Sequence, residues 1–441
     1  MKTILLIADF PDFARKTDYL PFFRFFIAAF LFAFIPFIAY AAGPTVEPGF
    51  HPHISVQEEY NDNINLTGTN EVDDFITTVK PGLKYSNTDS VSGIDLDYAL
   101  GFVFYDSDSD KNYISHNGSF NAKYLTKEHF NFYLKDSFIR SDDPREREYF
   151  TLTEENKYVL STKTERDVYW RNVVAPTAEY QFGPENRVGV NYRNNIYRTE
   201  STTGEDSRED YVNPYFAYSF DQKNGIYLEY GYTIGDFERS PDFTGHRANA
   251  RYTHRFDPKA SVFGEYTFSR RDFDPPSVNY DIHEPSVGIS YAFSPVLNGS
   301  VQAGYFLKDP ETGSRRDGIS YNAGITNRDV RTSYVLSLQG GYNEDYFTSE
   351  NLGFSRYHRL TGSVTHSLDM RTSIGLYGNG ERADFDSDRR DWIWGIGAKA
   401  SYNPLKWLIL SLDVSHKERD SDVDINDYTE NRGVIIITAT Y

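Results

Sequence analysis

The sequence predicts an all-β fold: one transmembrane antiparallel β-barrel of about 20 strands, with about 18 as the alternative. Three features predict it: apolar and polar residues alternate with a period of two, aromatic residues precede short turns, and short turns alternate with long polar loops. Composition agrees, because 16% of the residues are aromatic although only 39% are hydrophobic and the mean hydropathy is −0.58. These values disfavour a bundle of membrane helices and a disordered chain.

Composition also limits the chemistry of the protein. The chain has no Cys, which excludes disulfides, thiolate metal ligands and a Cys nucleophile. Its net charge of −19 argues against nucleic acid as a partner. No cofactor is predicted.

The N-terminal residues resemble a signal peptide. Basic residues precede an apolar stretch at 25–38, and small residues follow it up to Ala41. We expect residues 1–41 to be cleaved from an exported protein, residues 42–50 to form a short N-terminal segment, and residues 51–441 to form a single barrel. The alternative for the first segment is a membrane anchor, which its short apolar run disfavours.

The alternation is clearest between Ile94 and Phe104. Every second residue there is large and apolar, whereas Asp95 and Asp97 lie on the other face. The pattern recurs at 228–234 and 408–414. A soluble β-sandwich would also alternate, so the choice of a membrane barrel depends on the turns and loops.

Five aromatic residues stand directly before short turns: Phe182, Phe220, Phe256, Phe293 and Tyr402. The first four recur every 36 to 38 residues, which is long enough for two membrane-spanning strands, a turn and a loop. An aromatic residue above each short turn is typical of an interfacial girdle.

Longer polar segments, such as 61–73, 141–167, 199–208 and 418–427, separate these turns. Nine predicted turns, with one further strand at each end, give the strand number. We expect short turns on the periplasmic side and long loops outside, which places the protein in the bacterial outer membrane. The longest loop, 141–167, is interpreted as a constriction folded into the lumen or, alternatively, as a solvated surface loop.

The chain ends on an aromatic residue, Tyr441, in an alternating segment that predicts the closing strand. A terminal aromatic residue on such a strand resembles the signal that outer-membrane assembly machinery recognises. This machinery, outer-membrane lipid and lipopolysaccharide are therefore expected partners. A replaceable girdle residue is the alternative.

If the apolar face points to lipid, charged residues of the opposite face line the lumen. The predicted basic positions are Lys80, Lys84, Lys123, Lys135, Arg187, Arg193, Arg247, Arg251, Arg255, Arg359 and Lys399. The predicted acidic positions are Asp95, Asp97, Glu179, Glu229, Glu265 and Asp413. Eleven basic against six acidic residues contrast with the acidic chain as a whole, so the acidic excess is expected in loops and rims. Pairing that braces the wall and a role in transport both remain open.

Arg247, Arg251 and Arg255 form the most regular group, with guanidinium groups about 7 Å apart along one predicted strand. Arg stays protonated and matches carboxylates and phosphates, so this ladder suits an acidic polymer. The competing interpretation is that Glu229 and Glu265 on flanking strands neutralise it.

An enzyme is disfavoured. His53 and Ser55 have the spacing found in outer-membrane lipid hydrolases, but the polar alternation of the first strand explains both. Around His116, Ser119 would lie on the opposite face. No His spacing suits a metal, and loop polarity accounts for the Asp and Asn residues of the first loop, although Ca²⁺ is an alternative.

Residues 55–67, followed by residues 73–83, resemble the opening hairpin of the β-barrel porins of the second type, a family associated with exopolysaccharide and capsule production. The shared features are the Tyr-Asn-Asp-Asn strand end at 60–63, Asp-Phe-Ile at 74–76 and Pro-Gly at 81–82. The resemblance implies an exit pore for such a polymer, working with export components. Taken with the barrel, it predicts a passive channel. A nutrient-uptake porin and a structural or adhesion barrel with a closed lumen are the alternatives, and the sequence leaves the polymer, the direction and the oligomeric state open.

Overall fold

The computed structural model describes residues 48–143, 168–202, 204–347 and 351–441. Within these ranges, twenty strands form one sheet in which sequence neighbours pair antiparallel. The first strand also pairs with the last, with His53 opposite Thr440, so the sheet closes into a barrel. The predicted 20-stranded barrel is confirmed. Among the described residues, no helix has the length and hydropathy to span a bilayer.

The strands are β1 (Gly49–Asn61), β2 (Asp74–Thr88), β3 (Ser92–Tyr105), β4 (Tyr113–Leu125), β5 (Phe130–Ser141), β6 (Tyr169–Gln181), β7 (Arg187–Thr199), β8 (Ser207–Ser219), β9 (Asn224–Phe237), β10 (Phe243–Arg255), β11 (Ala260–Phe273), β12 (Tyr280–Ala292), β13 (Leu297–Pro310), β14 (Arg316–Arg328), β15 (Thr332–Asp345), β16 (Gly353–Ser367), β17 (Thr372–Phe385), β18 (Arg390–Leu405), β19 (Leu408–Ser421) and β20 (Tyr428–Thr440). Two 3-10 turns, Ser109–Lys111 and Asp424–Asn426, lie in loops.

At one rim of the barrel, the turn rim, the connections have two to five residues, as in 220–223. At the other, the loop rim, most connections are longer, as in 62–73, although 386–389 has only four residues. The first strand begins two residues before the predicted barrel start. The predicted signal peptide 1–41 and residues 144–167 of the longest loop lie outside the described residues.

An aspartate closes four of the short turns. The carboxylates of Asp89, Asp221, Asp257 and Asp369 each accept hydrogen bonds of 2.6–2.9 Å from the backbone N–H groups two and three residues later. Such side-chain bonds stabilise tight turns. Backbone N–H donors lower the pKa of Asp89 and Asp369, and the Asn224 side chain is the largest cause of the lowered pKa of Asp221.

The five aromatic residues predicted beside the turns form a girdle on the outer surface. Their exposed fractions lie between 41% and 59%, for Phe182, Phe220, Phe256, Phe293 and Tyr402. Tyr402 departs from the prediction, because the turn does not follow it directly. β18 continues through Pro404 to Leu405 with a register shift after Tyr402, because a β-bulge lets Pro remain at a strand end without donating to the ladder.

Four tyrosine–histidine pairs occupy the outward face near the loop rim. In each pair the tyrosine Oη lies 2.6–2.8 Å from Nδ1 of the histidine, in Tyr98–His116, Tyr230–His246, Tyr266–His283 and Tyr321–His358. Three pairs join adjacent strands, whereas the fourth joins β14 to β16. In each pair the phenol hydroxyl and the imidazole nitrogen satisfy one another on the outward face of the sheet.

The outer part of the β15–β16 hairpin leaves the barrel wall. β15 pairs with β14 only as far as Gly340, opposite Tyr321, although it pairs with β16 as far as Asp345. The next residue, Gly341, has φ +151°, a conformation that glycine tolerates and other residues disfavour. The hairpin therefore bends at this point. We call residues 342–357 the hairpin tip, of which 342–347 and 351–357 are described.

The hairpin tip packs inside the barrel. Tyr342 and Phe354 of the tip form a buried cluster with Tyr280 and Ile282 on β12 and Phe306 on β13. This cluster holds the base of the tip against the inner wall. Two further buried clusters lie near the loop rim, centred on Tyr105 and Tyr169.

Candidate functional site: the lumenal path

The two faces of the wall are distinguished by exposure and by contacts. Large apolar residues such as Ile94, Leu96 and Leu228 are exposed on the outer face. The alternating positions carry charged side chains that meet across neighbouring strands. The described wall therefore has the apolar exterior and polar interior of a transmembrane barrel.

The predicted arginine ladder lies on β10 with the expected alternation, and the structure defines carboxylate partners for Arg251 and Arg255. Arg251 contacts Glu265, as the pairing interpretation predicts. A terminal nitrogen of Arg255 lies 2.7 Å from Glu185 in the turn before β7, a partner that the sequence did not reveal. Glu229 accepts a 2.8 Å hydrogen bond from the Tyr227 hydroxyl.

Other predicted basic residues also pair across strands. Arg187 lies 3.5 Å from Glu179, and Arg193 binds Glu209 through two hydrogen bonds of 3.0 and 2.7 Å. A further pair, Arg359 with Glu381, is buried with 2.6 Å between Nε and Oε2. Lys399 lies opposite Asp413 in the register of β18 and β19.

The acidic residues of β3 use hydroxyl and imidazole partners. Asp95 accepts a 2.6 Å hydrogen bond from Ser86, and Asp97 lies 3.1 Å from Nε2 of His53. The second contact gives His53 a structural partner, which weakens its interpretation as a base for Ser55. His116 bonds Tyr98 on the outer face. Ser119 lies three residues further along β4 and therefore on the opposite face.

A set of lumenal tyrosines was not predicted from the sequence. Tyr215 donates to Glu179, Tyr227 to Glu229 and Tyr377 to Asp413, each over 2.8 Å. A carboxylate that accepts a hydrogen bond from the phenol hydroxyl fixes the ring in one orientation. The alternation of the sequence could have predicted them, because Tyr215 and Tyr227 stand next to the outward residues Phe216 and Leu228 and therefore face the lumen.

A chamber of about 890 Å³ lies inside the barrel between β5 and β11. Its wall includes Tyr133, Tyr211 and Tyr227, together with Arg193, Arg247 and Arg251. Its roof is the hairpin tip, because Tyr346 and Phe347 also line it. We refer to this space as the chamber.

One carboxylate holds the roof in place. Glu344 accepts a 2.8 Å bond from Arg271 on β11 and a 2.6 Å bond from the Tyr280 hydroxyl on β12. The Phe347 ring stacks 5.4 Å from Phe237. Burial, followed by the charge of Glu344, raises the pKa of Tyr346, so this phenol of the roof remains neutral. We call the Glu344 contacts the latch.

The hairpin tip also interacts with the opposite wall. Asp345 and Arg171 on β6 interact electrostatically, although eight strands separate β6 from β15 along the shorter arc. The tip therefore lies within electrostatic reach of β6 as well as in contact with β12 and β13.

The first loop uses its polar residues internally. The Asn63 amide donates to the backbone of Thr67 and Thr429, and Asp62 accepts from Asn431. Among the described residues, no group of three or more potential metal ligands lies together. These contacts support loop polarity as the explanation for the Asp and Asn residues.

Tyr441 lies at the turn rim. Its backbone N–H donates to Pro52 over 2.9 Å, and its side chain is 62% exposed. The residue therefore continues the ladder that closes the barrel and leaves its ring accessible.

A closed barrel with an apolar exterior, an aromatic girdle and a charged lumen defines a bacterial outer-membrane β-barrel of the porin class. Residues 228–441 match the model of the family described as "Putative beta-barrel porin 2". This match confirms the family resemblance predicted from the first hairpin, although it lies in a different part of the chain. The turn rim is accordingly periplasmic and the loop rim external.

Two solved structures share the architecture. The siderophore receptor PirA from Pseudomonas aeruginosa is 9% identical with a TM-score of 0.51, over 90% of this chain and 81% of that chain. A mutant of the ferric enterobactin receptor PfeA from the same organism, in complex with enterobactin, is 9% identical with a TM-score of 0.52, over 90% and 82%. At this identity the similarity shows the fold alone. No curated protein matches the sequence.

Proposed function

We propose that this porin is the outer-membrane exit channel for an exported exopolysaccharide or capsule polymer. The family resemblance motivates the proposal, and the inward-folded hairpin tip is the observation that carries it. Periplasmic export components would deliver the polymer to the turn rim. The assembly machinery and outer-membrane lipid, including lipopolysaccharide, remain proposed partners for insertion and surroundings.

A polymer channel needs a wide lumen and a resting closure. A barrel of this size encloses space for an aqueous path unless something fills it. The hairpin tip can close the lumen and is part of the barrel wall. β15 separates from β14 at Gly340 and Gly341 but stays paired with β16. Reversible closure therefore requires breaking the latch and the aromatic contacts, while the strand ladder below the bend is kept.

The position of the bend at Gly340 and Gly341 favours outward movement of the hairpin tip. The tip lies on the lumenal side of the wall, and Tyr280 and Phe306 lie beneath part of it. A chain arriving from the periplasm would press on the inner surface of the tip and push it toward the exterior. Pressure from outside would press the tip onto β12 and β13. This geometry suits exit of a polymer better than entry of a nutrient.

Secretion tests the proposal directly. The host is a strain that carries this gene and secretes an acidic or neutral polysaccharide. Deletion of the gene should reduce the amount of extracellular polymer and increase the amount of periplasmic polymer. A plasmid copy of the wild-type gene should restore secretion. Unchanged secretion would refute the export role. If secretion were unchanged and growth on one nutrient slowed, nutrient uptake would replace polymer export as the proposed function.

The hairpin tip has its own test. Glu344→Gln should keep the hydrogen bond from Tyr280 but lose the charge that holds Arg271, so channel openings in planar bilayers should become longer or more frequent. Glu200→Gln is the matched control, because Glu200 forms an exposed 3.9 Å ion pair with Arg140 outside the lumen. Equal gating in both variants would remove the tip as a gate.

A further inference from the structure

We propose that the chamber beneath the hairpin tip binds an acidic sugar unit, with tyrosine rings stacking on the sugar and Arg251 binding its carboxylate. The inference rests on the proposed export function and specifies its substrate class. It is carried by three independent properties of the described chamber: its size, its fixed aromatic rings and its arginines.

The size is appropriate for one or a few sugar units. Ligand sites in proteins commonly have volumes of about 300–1,000 Å³, and the chamber has about 890 Å³. It lies inside the lumen under the roof, so a polymer on its way out would pass through it. A passing chain would therefore meet this wall before it reached the latch.

The aromatic rings are held rigidly. The Tyr215 and Tyr227 rings stack with centroids 6.3 Å apart, and each hydroxyl donates to a carboxylate. Tyr227 lines the chamber, and Tyr133 lines it with 37% of its surface exposed. A sugar ring offers an apolar C–H face to such rings, whereas its hydroxyls need polar partners.

Amide side chains supply those polar partners in a fixed network. Thr177 donates to Asn191 over 2.8 Å, and Asn191 donates to Asn213 over 3.1 Å. Asn249 donates to Thr267 over 2.8 Å. These chains hold the amides in defined orientations along β6 to β11. Asn213 and Asn249 are buried and hold the network in place. Asn191 lines the chamber and is only partly buried, so its second amide hydrogen and second carbonyl lone pair are the groups available to a sugar hydroxyl.

The arginines select for a carboxylate. Glu265 accepts from Nε of Arg251, and the Arg251 guanidinium lies over the Phe263 ring at 4.4 Å. A guanidinium has five N–H donors, so one partner at Nε does not saturate it, and the side chain is 40% exposed. Ring contact and ion pair together orient the remaining donors.

The charges of the chamber are nearly balanced. Its lining contains Lys135, Arg193, Arg247, Arg251 and Arg271 against Glu209, Glu229, Glu265 and Glu344. A small basic excess favours acidic over neutral sugars. Because each unit would compete with existing ion pairs, binding should be weak and release fast, as passage of a polymer requires.

Calorimetry on detergent-solubilised full-length protein tests the site without requiring an open channel. Hexagalacturonate should bind more tightly than maltohexaose, and Tyr227→Ala or Arg251→Gln should each weaken hexagalacturonate binding by roughly three- to tenfold, as expected for one lost contact of this kind. Tyr227→Phe should retain most of the affinity because the ring remains. Heat-modifiable mobility should show each variant folded.

Tyr377→Ala is the matched control, because Tyr377 has the same tyrosine–carboxylate geometry on β17, outside the chamber. Equal binding of the two oligomers would refute selection for acidic sugars. Absence of hexagalacturonate binding, or equal effects of Tyr377→Ala and Tyr227→Ala, would refute the chamber as the site. Secretion in the gene-deletion strain tests the export function independently of the binding site. The export proposal and the binding proposal can therefore each fail without the other.

Discussion

The hydroxyl of Tyr321 on β14 lies 2.8 Å from Nδ1 of His358 on β16 and bridges the intervening strand β15. The ring of Tyr321 lies over Gly340 of β15, and a Cβ added at Gly340 would lie 2.5 Å from the ring. This bridge stands where the β14–β15 ladder ends. It therefore secures the wall directly below the bend of the hairpin tip.

The bridge predicts a specific effect of a side chain at Gly340. Gly340→Val should displace the Tyr321 ring and break its contact with His358. The separation of β14 from β15, which now begins after Gly340, should then extend further down the two strands. We expect a lower melting temperature and faster proteolysis within 342–357. Gly362→Val on β16 is the control, since an added Cβ there meets only Leu336 at 3.5 Å. Equal stability of the two variants would contradict the bridging role.

The arginine ladder predicts ion selectivity. Replacing Arg247, Arg251 and Arg255 by Gln leaves Glu265 and Glu185 without the partners seen in the structure. Reversal potentials across a salt gradient should then shift toward cations, from an anion preference in the wild type. Arg315→Gln, which disrupts an exposed pair with Asp309 outside the lumen, should leave the potential unchanged. A cation-selective wild type would contradict the transport role of the ladder.

Three of the turn aspartates, Asp89, Asp221 and Asp369, predict loss of stability in acid. The pKa values of these three carboxyls are lowered in the folded protein, so their contribution is present above the unfolded value of about 3.9 and is lost as pH falls through the lower folded value. Unfolding by denaturant should therefore become easier between about pH 4 and pH 2. A variant with Asp89, Asp221 and Asp369 replaced by Asn should be less stable at neutral pH and show a smaller loss in this range. An unchanged acid response would contradict this assignment.

The terminal residue predicts the efficiency of insertion. Deleting Tyr441 removes an exposed ring and one backbone bond of the closing ladder. The amount of folded, heat-modifiable barrel in outer membranes should fall while synthesis continues. Tyr441→Phe should restore assembly if the ring carries the signal. Undiminished folded protein after deletion would reduce Tyr441 to a girdle residue.

The sequence by itself determined the barrel, its strand number to within one hairpin, and which residues of a strand share a face, because strand alternation and turn chemistry are local. A period of two assigns each residue to a face without knowledge of its neighbours, and residues such as Asp221 and Phe220 mark a turn within a few positions. Only the tertiary structure decided which charges meet, as between Arg255 and Glu185, seventy residues apart. It also decided that the β15–β16 hairpin turns inward, since Glu344 finds Arg271 and Tyr280 only when distant strands share one lumen. Alternation predicts the face of a side chain, whereas closure of the sheet selects its partner.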